Sequence, residues 1–367
     1  MVPTKKVCLL LTVIATLSAL VGCAGEGKRN EPMELPEFAF IDRMFSAEGT
    51  VYAIRSAGGY SYITAEGSPA PVCYQLAALS NGRYSDAVWN ESSGRLYYSD
   101  GCGVYCCDLT GNEKSIIWEL PKGTKKDFVN IAASANDYLL VKGGYGERQS
   151  ASRPEDYMYK TCGYYSLNIK TGEAVPVLNE VPFYKLPVVL CAYENTVIAV
   201  QLMSRDEYDP ILVNKTQDEE TARVLRMDLQ TGESKELGSF CAIGTISAAD
   251  GAVCDDRLYF ICEKSGLYSM PLSGGEIERL QPDTARVPGM DQYISMEESK
   301  GAVYLLMWDG VTYPPSALCI WDPETGLLPV TTTDNTFSAT GFLIDRETYF
   351  LFAGAEIISG KLPEHSS

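Results

Sequence analysis

An all-β fold, a β-propeller, is what this chain predicts, on three observations. Short strand-like runs recur along its whole length. They group into units of some 43 to 60 residues. Almost no segment after the N-terminal stretch has the 3.6-residue spacing of an amphipathic helix. The composition agrees, with 23 tyrosines, only 4 tryptophans and 32 glycines, a balance that suits short strands joined by many tight turns.

The recurring unit is clearest in one strand and the turn after it. Val104–Gly111 reads VYCCDLTG, Tyr164–Gly172 YYSLNIKTG, Val224–Gly232 VLRMDLQTG and Leu267–Gly274 LYSMPLSG. Tyr60–Ile63 and Ala317–Asp322 are looser copies. The anchors are Tyr60, Tyr105, Tyr165, Leu225, Tyr268 and Leu318, at intervals of 45, 60, 60, 43 and 50 residues. A second run precedes most anchors, as in Arg95–Asp100, Tyr138–Val141, Thr196–Val200, Arg257–Ile261 and Ala302–Leu306. A shorter run follows, as in Ser115–Trp118 and Val175–Leu178. With a strand ahead of the pair, such as Val188–Cys191, each unit has four strands.

One antiparallel four-stranded sheet cannot cover both its faces. Arranged radially, such sheets bury their faces against each other and expose only short edges. A seventh, partial unit comprises Gly341–Ile344, Thr348–Phe352 and Glu356–Ser359, and lacks an outer strand. At the other end Pro36–Phe40 is free to supply it. The expectation is seven four-stranded blades over residues 36–363, closed by that N-terminal strand, with 364–367 as a disordered tail. Six and eight blades are the alternatives.

The repeat also assigns individual residues. Cys107 stands where other units place Leu167, Met227, Met270 and Ile320, and so reads as core. Cys106 stands with Ser166, Arg226, Ser269 and Cys319, on the opposite face of the strand. Of twelve cysteines, Cys8 and Cys23 lie in the N-terminal segment. The other ten are thinly spread and read mostly as buried thiols, with Cys102–Cys106 or Cys254–Cys262 bridges as alternatives. Their spacing fits no zinc pattern, and neither a metal nor a cofactor is expected.

Tyr97-Tyr98-Ser99-Asp100 resembles a YWTD signature. The wider pattern, a Leu/Val-Tyr strand followed by Gly-(Leu/Val)-Tyr and a glycine turn, resembles bacterial propellers of the DUF5050 or LRP1-like class. The resemblance spans about residues 36–363. It implies a binding or scaffolding domain and carries over no catalytic residue. A single unit bears the tetrad, and YWTD propellers have six blades.

The N-terminus sets an expectation about location. Lys5 and Lys6 precede fifteen residues, Val7–Val21, that are largely apolar, too few for a membrane span of about 20. Leu20-Val21-Gly22-Cys23 resembles the lipobox of bacterial lipoproteins, which implies a signal peptide over 1–22 and a diacylglycerol on the Cys23 sulfur. A non-lipidated secretory signal is the alternative. Residues 23–35 read as a flexible tether. The protein is then expected on the extracytoplasmic face of the cell membrane, or at an outer membrane where the host has one. The net charge of −18 becomes more negative once Lys5 and Lys6 are removed. That argues against nucleic acid and anionic headgroups as partners.

The single histidine, His365, lies at the C-terminal end, so no Ser-His-Asp or Cys-His centre is available. G-x-S-x-G, P-loop, dinucleotide and EF-hand motifs are all missing. Loop length is more informative. Insertions at about 144–161 and 203–221, and a shorter one at 308–315, fall between the second and third strands of their blades, hence on one face of the ring. They carry Tyr145, Arg148, Arg153, Tyr157 and Tyr159, then Arg205, Asp206, Glu207, Tyr208 and Asp209, then Trp308 and Tyr313. The leading expectation is a monomeric, lipid-anchored, non-catalytic propeller binding a protein or glycan there. The alternatives are a polysaccharide-acting enzyme with paired carboxylates facing a central pocket, and a structural envelope-assembly factor.

Overall fold

The structure, a computed structural model, describes residues 30–66, 72–78, 86–119, 128–148, 157–182, 186–203, 219–243, 249–262, 266–280, 290–309, 315–323, 325–334 and 336–363. The chain divides into two units, Met1–Glu31 and Pro32–Ser367, and the fold below is that of the second.

The described residues form seven antiparallel sheets and no helix. Blade 1 is β1 (Phe40–Ala47), β2 (Thr50–Ala57), β3 (Tyr60–Ala65) and β4 (Val72–Ala78). Blade 2 is β5 (Val88–Asn90), β6 (Arg95–Ser99), β7 (Gly103–Cys107) and β8 (Ser115–Glu119). Blade 3 is β9 (Phe128–Ala135), β10 (Tyr138–Arg148), β11 (Tyr157–Asn168) and β12 (Ala174–Pro182). Blade 4 is β13 (Val188–Tyr193), β14 (Thr196–Leu202), β15 (Glu219–Asp228) and β16 (Ser234–Ile243). Blade 5 is β17 (Ala249–Cys254), β18 (Arg257–Cys262), β19 (Gly266–Pro271) and β20 (Glu278–Leu280). Blade 6 is β21 (Met290–Ser299), β22 (Ala302–Asp309), β23 (Ser316–Asp322) and β24 (Gly326–Thr332). Blade 7 is β25 (Gly341–Asp345), β26 (Thr348–Ala353) and β27 (Glu356–Lys361). Every blade is a meander of sequential neighbours.

The core is distributed between blades. Seven apolar clusters are present, one at each blade-to-blade interface. Alternation along a strand sends successive side chains to opposite neighbours. Thus Cys107 packs toward blade 1 with Ile54, Ile63 and Leu96, whereas Cys106 packs toward blade 3 with Val129 and Leu139. Leu167, Met227 and Met270 pack toward the preceding blade as expected. Ile320 does not. It packs toward blade 7, while Trp321 and Cys319 face blade 5. The sixth unit is therefore offset by one residue from the alignment through Leu318, and a one-residue offset exchanges the two faces. All ten cysteines of the described residues are free thiols, so neither Cys102–Cys106 nor Cys254–Cys262 forms a bridge.

The turn that ends each repeat has a physical cause. Asp228 Oδ1 accepts the N–H groups of Gln230 and Thr231 at 2.9 and 2.8 Å. Asn168 and Asp108 do the same for their turns, and Asp322 accepts from Thr325. These are Asx turns, which explains the Asp/Asn of the repeat. The glycine after it has two roles. Gly172 and Gly232 sit at φ 72° and 77°. A Cβ there would lie 3.0 Å from the Ile117 carbonyl and 3.1 Å from the Pro176 carbonyl respectively, on the outer strand of the preceding blade. The repeat therefore encodes both a turn and the spacing between blades. The Tyr97–Asp100 tetrad is likewise structural. Tyr97 and Tyr98 pack to opposite sides, and Asp100 accepts the N–H groups of Cys102 and Gly103.

Ring closure differs from the expectation. Blade 7 has three strands, and Pro36–Phe40 does not join it. Phe40 instead opens β1, and the Met33 N–H donates to the Cys73 carbonyl on β4 of blade 1 at 2.9 Å. Pro36 has no N–H for a ladder, and Phe38 takes φ 63°, which breaks an extended strand. The ring is closed by side-chain packing and one backbone hydrogen bond, not by an added strand. Ile41, Met44, Val51 and Ala53 of blade 1 pack on Leu343 and Phe352 of blade 7. The Ile41 N–H donates to the Gly354 carbonyl at 2.6 Å, and Ser46 Oγ donates to Asp345 at 2.8 Å.

Candidate functional site

The sequence-selected residues fall into three groups. Tyr145 and Arg148 lie on β10, and Tyr157 and Tyr159 on β11, with Arg148 opposite Tyr157 and Gly146 opposite Tyr159. The first insertion is thus largely a continuation of the β10–β11 ladder. Trp308 lies on β22, and its indole N–H donates to the Ala339 carbonyl at 2.6 Å, which ties blade 6 to the approach to blade 7. Cys23, Arg153, Arg205, Asp206, Glu207, Tyr208, Asp209 and Tyr313 lie outside the described residues.

A different site forms at the centre. The first strand of each blade meets that of the next, as β9 does with β5 and β13, and β25 with β21 and β1. Between them is a cavity of about 540 Å³, lined at its flanks by Arg43, Phe45, Trp89, Asn136, Glu194 and Glu297 among others. It lies at the end of the ring where the strand 1–2 hairpins turn, opposite the strand 2–3 connections. Phe45 and Trp89 stack in its wall with centroids 5.7 Å apart and planes at 13°.

Three acids pin adjacent blades together beside this axis. Asp86, just ahead of β5, accepts the Ile131 N–H of blade 3 at 2.7 Å through Oδ2 and the Ser99 N–H at 3.3 Å through Oδ1. Asp250 on β17 accepts the Met296 N–H of blade 6 at 2.9 Å. Glu297 on β21 accepts the Ile344 N–H of blade 7 at 3.3 Å. The three contacts span 45, 46 and 47 residues, one blade each.

Burial sets the electrostatics. It pushes the Asp86 and Asp250 carboxyls up to about 6, against the pull of their backbone N–H partners and of Arg43. It pushes Glu297 up to about 8, with the nearby Asp250 and Glu298 charges adding to the rise. Desolvation lowers Arg43, opposed by Asp250 and Asp86. At neutral pH the axis holds a guanidinium, two carboxylates and a neutral Glu297. No cluster of three or more metal-ligating side chains is present among the described residues. An acid at the head of an otherwise apolar first strand, as in Asp86-Ala-Val-Trp and Asp250-Gly-Ala-Val, is the sequence signal for these pins. The convergence of different blades on one axis leaves no mark in linear spacing.

No family model matches the chain, and no curated protein sequence matches it. Solved structures do. Virginiamycin B lyase from Staphylococcus aureus superposes with a TM-score of 0.56 at 11% identity, over 90% of this chain and 97% of that one. The β-propeller domain of the trilobed protease from Pyrococcus furiosus, which has an open velcro topology, gives 0.52 at 12% identity, over 90% and 98%. Pyrococcus horikoshii acylaminoacyl peptidase gives 0.53 at 11% identity, over 90% of this chain and 53% of that one, so this chain spans about half of that peptidase. At such identities the likeness establishes the β-propeller fold and nothing finer.

Proposed function

We propose that this propeller is a lipid-anchored, extracytoplasmic binding protein that takes a protein or glycan partner at the cell envelope, with the ligand's end seated in the axial cavity. The observation that carries the binding reading is the cavity itself. Its volume of about 540 Å³ lies within the ~300–1,000 Å³ of small-ligand sites, and Arg43 lines it. Each axial acid already holds a backbone N–H of the next blade, which favours a fixed binding wall over proton shuttling. The anchor rests on the lipobox-like Leu20–Cys23 stretch, and the 2–3 connections of blades 3, 4 and 6 supply a second recognition surface on the other face.

Two measurements test this. Labelled palmitate should enter the wild-type chain and not Cys23→Ala, which should leave the membrane fraction. Equal labelling would remove the anchor from the proposal. Pull-downs and glycan arrays should then be compared between the wild type, Arg43→Gln and the triple neutralisation Asp206→Asn, Glu207→Gln, Asp209→Asn. Loss in the first variant places the ligand at the axis, and loss in the second places it on the blade 4 insertion. Unchanged capture by both would refute both surfaces.

A second reading is a carboxylate-dependent enzyme acting on polysaccharide. What favours it is a neutral Glu297 within electrostatic reach of the ionised Asp250, two acids whose environments separate their titrations. Turnover of a polysaccharide that is abolished in Glu297→Gln would establish it.

A further inference from the structure

We propose that the open edge of blade 7 takes up an extended segment of another protein as its fourth strand, with an apolar side chain of that segment seated against blade 1. Among the described residues every other blade has four strands, and blade 7 ends at β27. The third strands of the complete blades lie between two neighbours and are largely buried, as in β3, β7, β19 and β23. No residue of β27 is buried, and Ile358 is 40% exposed. The register fixes which backbone groups face outward. β27 pairs with β26 from Ala353↔Glu356 to Thr348↔Lys361, and the Leu362 N–H donates to the Glu347 carbonyl at 2.8 Å. Alternation along an antiparallel ladder then turns the N–H and C=O groups of Ile358 and Gly360 toward β26, and those of Ile357, Ser359 and Lys361 away from it. Such a row of outward donors and acceptors is a template for a further strand.

The complete blades show what that strand must carry. Each of their fourth strands sends an apolar side chain to the cluster shared with the following blade: Leu76, Trp118, Val177, Leu237, Leu280 and Val330 in blades 1 to 6. The cluster between blades 7 and 1 has no such member. It holds six buried residues where the other six clusters hold eight to thirteen. Ile357 packs against it from β27, and Ser359, two residues on, shares that face of the strand. An aliphatic or aromatic side chain entering beside Ser359 continues the interface as Leu237 does between blades 4 and 5. The chain's own N-terminal stretch is engaged elsewhere, with Met33 paired to Cys73 on blade 1 and Phe38 at φ 63°. A net charge of −18 on each copy opposes pairing two copies edge to edge. A different polypeptide, extended and with apolar residues at alternate positions, fits the edge.

The test is selection of a displayed library of random linear nonapeptides on the full chain in detergent, with Ser359→Pro as the comparison. Proline at an outward position removes one edge donor and leaves the β26–β27 ladder in place. The wild type should enrich peptides with apolar residues at alternate positions, and Ser359→Pro should bind them about tenfold or more weakly. Hydrogen exchange over β27 should slow by about tenfold or more when such a peptide is bound. Should Ser359→Pro not fold, Lys361→Pro removes the neighbouring outward donor and takes its place. Enriched peptides that bind both proteins equally would overturn the proposal, and so would failure to enrich any. Enriched peptides without alternate apolar residues would overturn the contact with blade 1. Slow exchange over β27 in the free chain that deepens with protein concentration, beside a dimer in sedimentation, would put a second copy at the edge and overturn the assignment to another protein. Slow exchange independent of concentration would show the edge covered within the chain and overturn it too.

Discussion

Arg55 on β2 donates through Nη2 to Glu66 Oε1 at 2.9 Å, with side chains only 4% and 11% exposed. The same guanidinium donates through Nη1 to the Ala355 carbonyl of blade 7 at 3.2 Å and to the Ala39 carbonyl at 3.4 Å. One buried ion pair thus reaches across the seam where the ring closes without an added strand. Breaking a buried pair from one side typically costs about 3–5 kcal/mol. Arg55→Met should lower unfolding stability by that order, and proteolysis should begin near residues 32–40. Loss of under 1 kcal/mol in urea unfolding would show that the apolar contacts of Ile41, Met44 and Phe352 close the ring alone.

The axial acids make stability depend on pH. Their folded titration points, about 6 for Asp86 and Asp250 and about 8 for Glu297, lie above the ordinary carboxyl range. The folded state therefore holds protons that the unfolded chain has released, and stability falls as pH rises from about 4 to 8. Glu297→Gln keeps an acceptor for the Ile344 N–H and removes the largest part of that slope. It should gain on the order of 2–5 kcal/mol over wild type at pH 9 and little at pH 4. An equal difference at both pH values in urea unfolding would contradict this.

Gly232→Ala joins two penalties, a left-handed backbone for alanine and an approach of 3.1 Å to the Pro176 carbonyl. The expected loss is about 1–3 kcal/mol. Gly301→Ala shares the backbone penalty (φ 75°) but meets nothing within 4 Å, so it should cost less. Thermal unfolding of the two variants separates turn strain from blade spacing.

Trp308→Phe removes the indole donor to the Ala339 carbonyl while keeping an aromatic ring. A loss of about 1–2 kcal/mol is expected, with ligand capture unchanged. Lost capture at preserved stability would return Trp308 to the recognition surface.

Much of the architecture was legible in linear order because each repeat states its own local rules. The Asp/Asn of the turn, the glycine at positive φ and the alternation that separates Cys106 from Cys107 all act within one blade. The offset that exchanges faces lies in the sixth unit, where the register places Cys319 and not Leu318 at the anchor position. Apolar residues stand on both faces of β23, so hydrophobicity alone could not fix its register; Asp322 in its Asx turn does.

The sequence by itself determined that this chain is a series of small antiparallel sheets, because strand pairing and turn chemistry are local, while the count of seven rather than six or eight came from the closed ring. Only the tertiary structure decided how the ends meet and what stands at the centre. The meeting of Ile41 with Phe352 joins residues 311 positions apart, and the Pro36–Phe40 stretch had apolar residues enough to suit the missing strand. Arg43, Asp86, Asp250 and Glu297 come from four different blades, and curvature accumulated over the whole ring brings them to one axis.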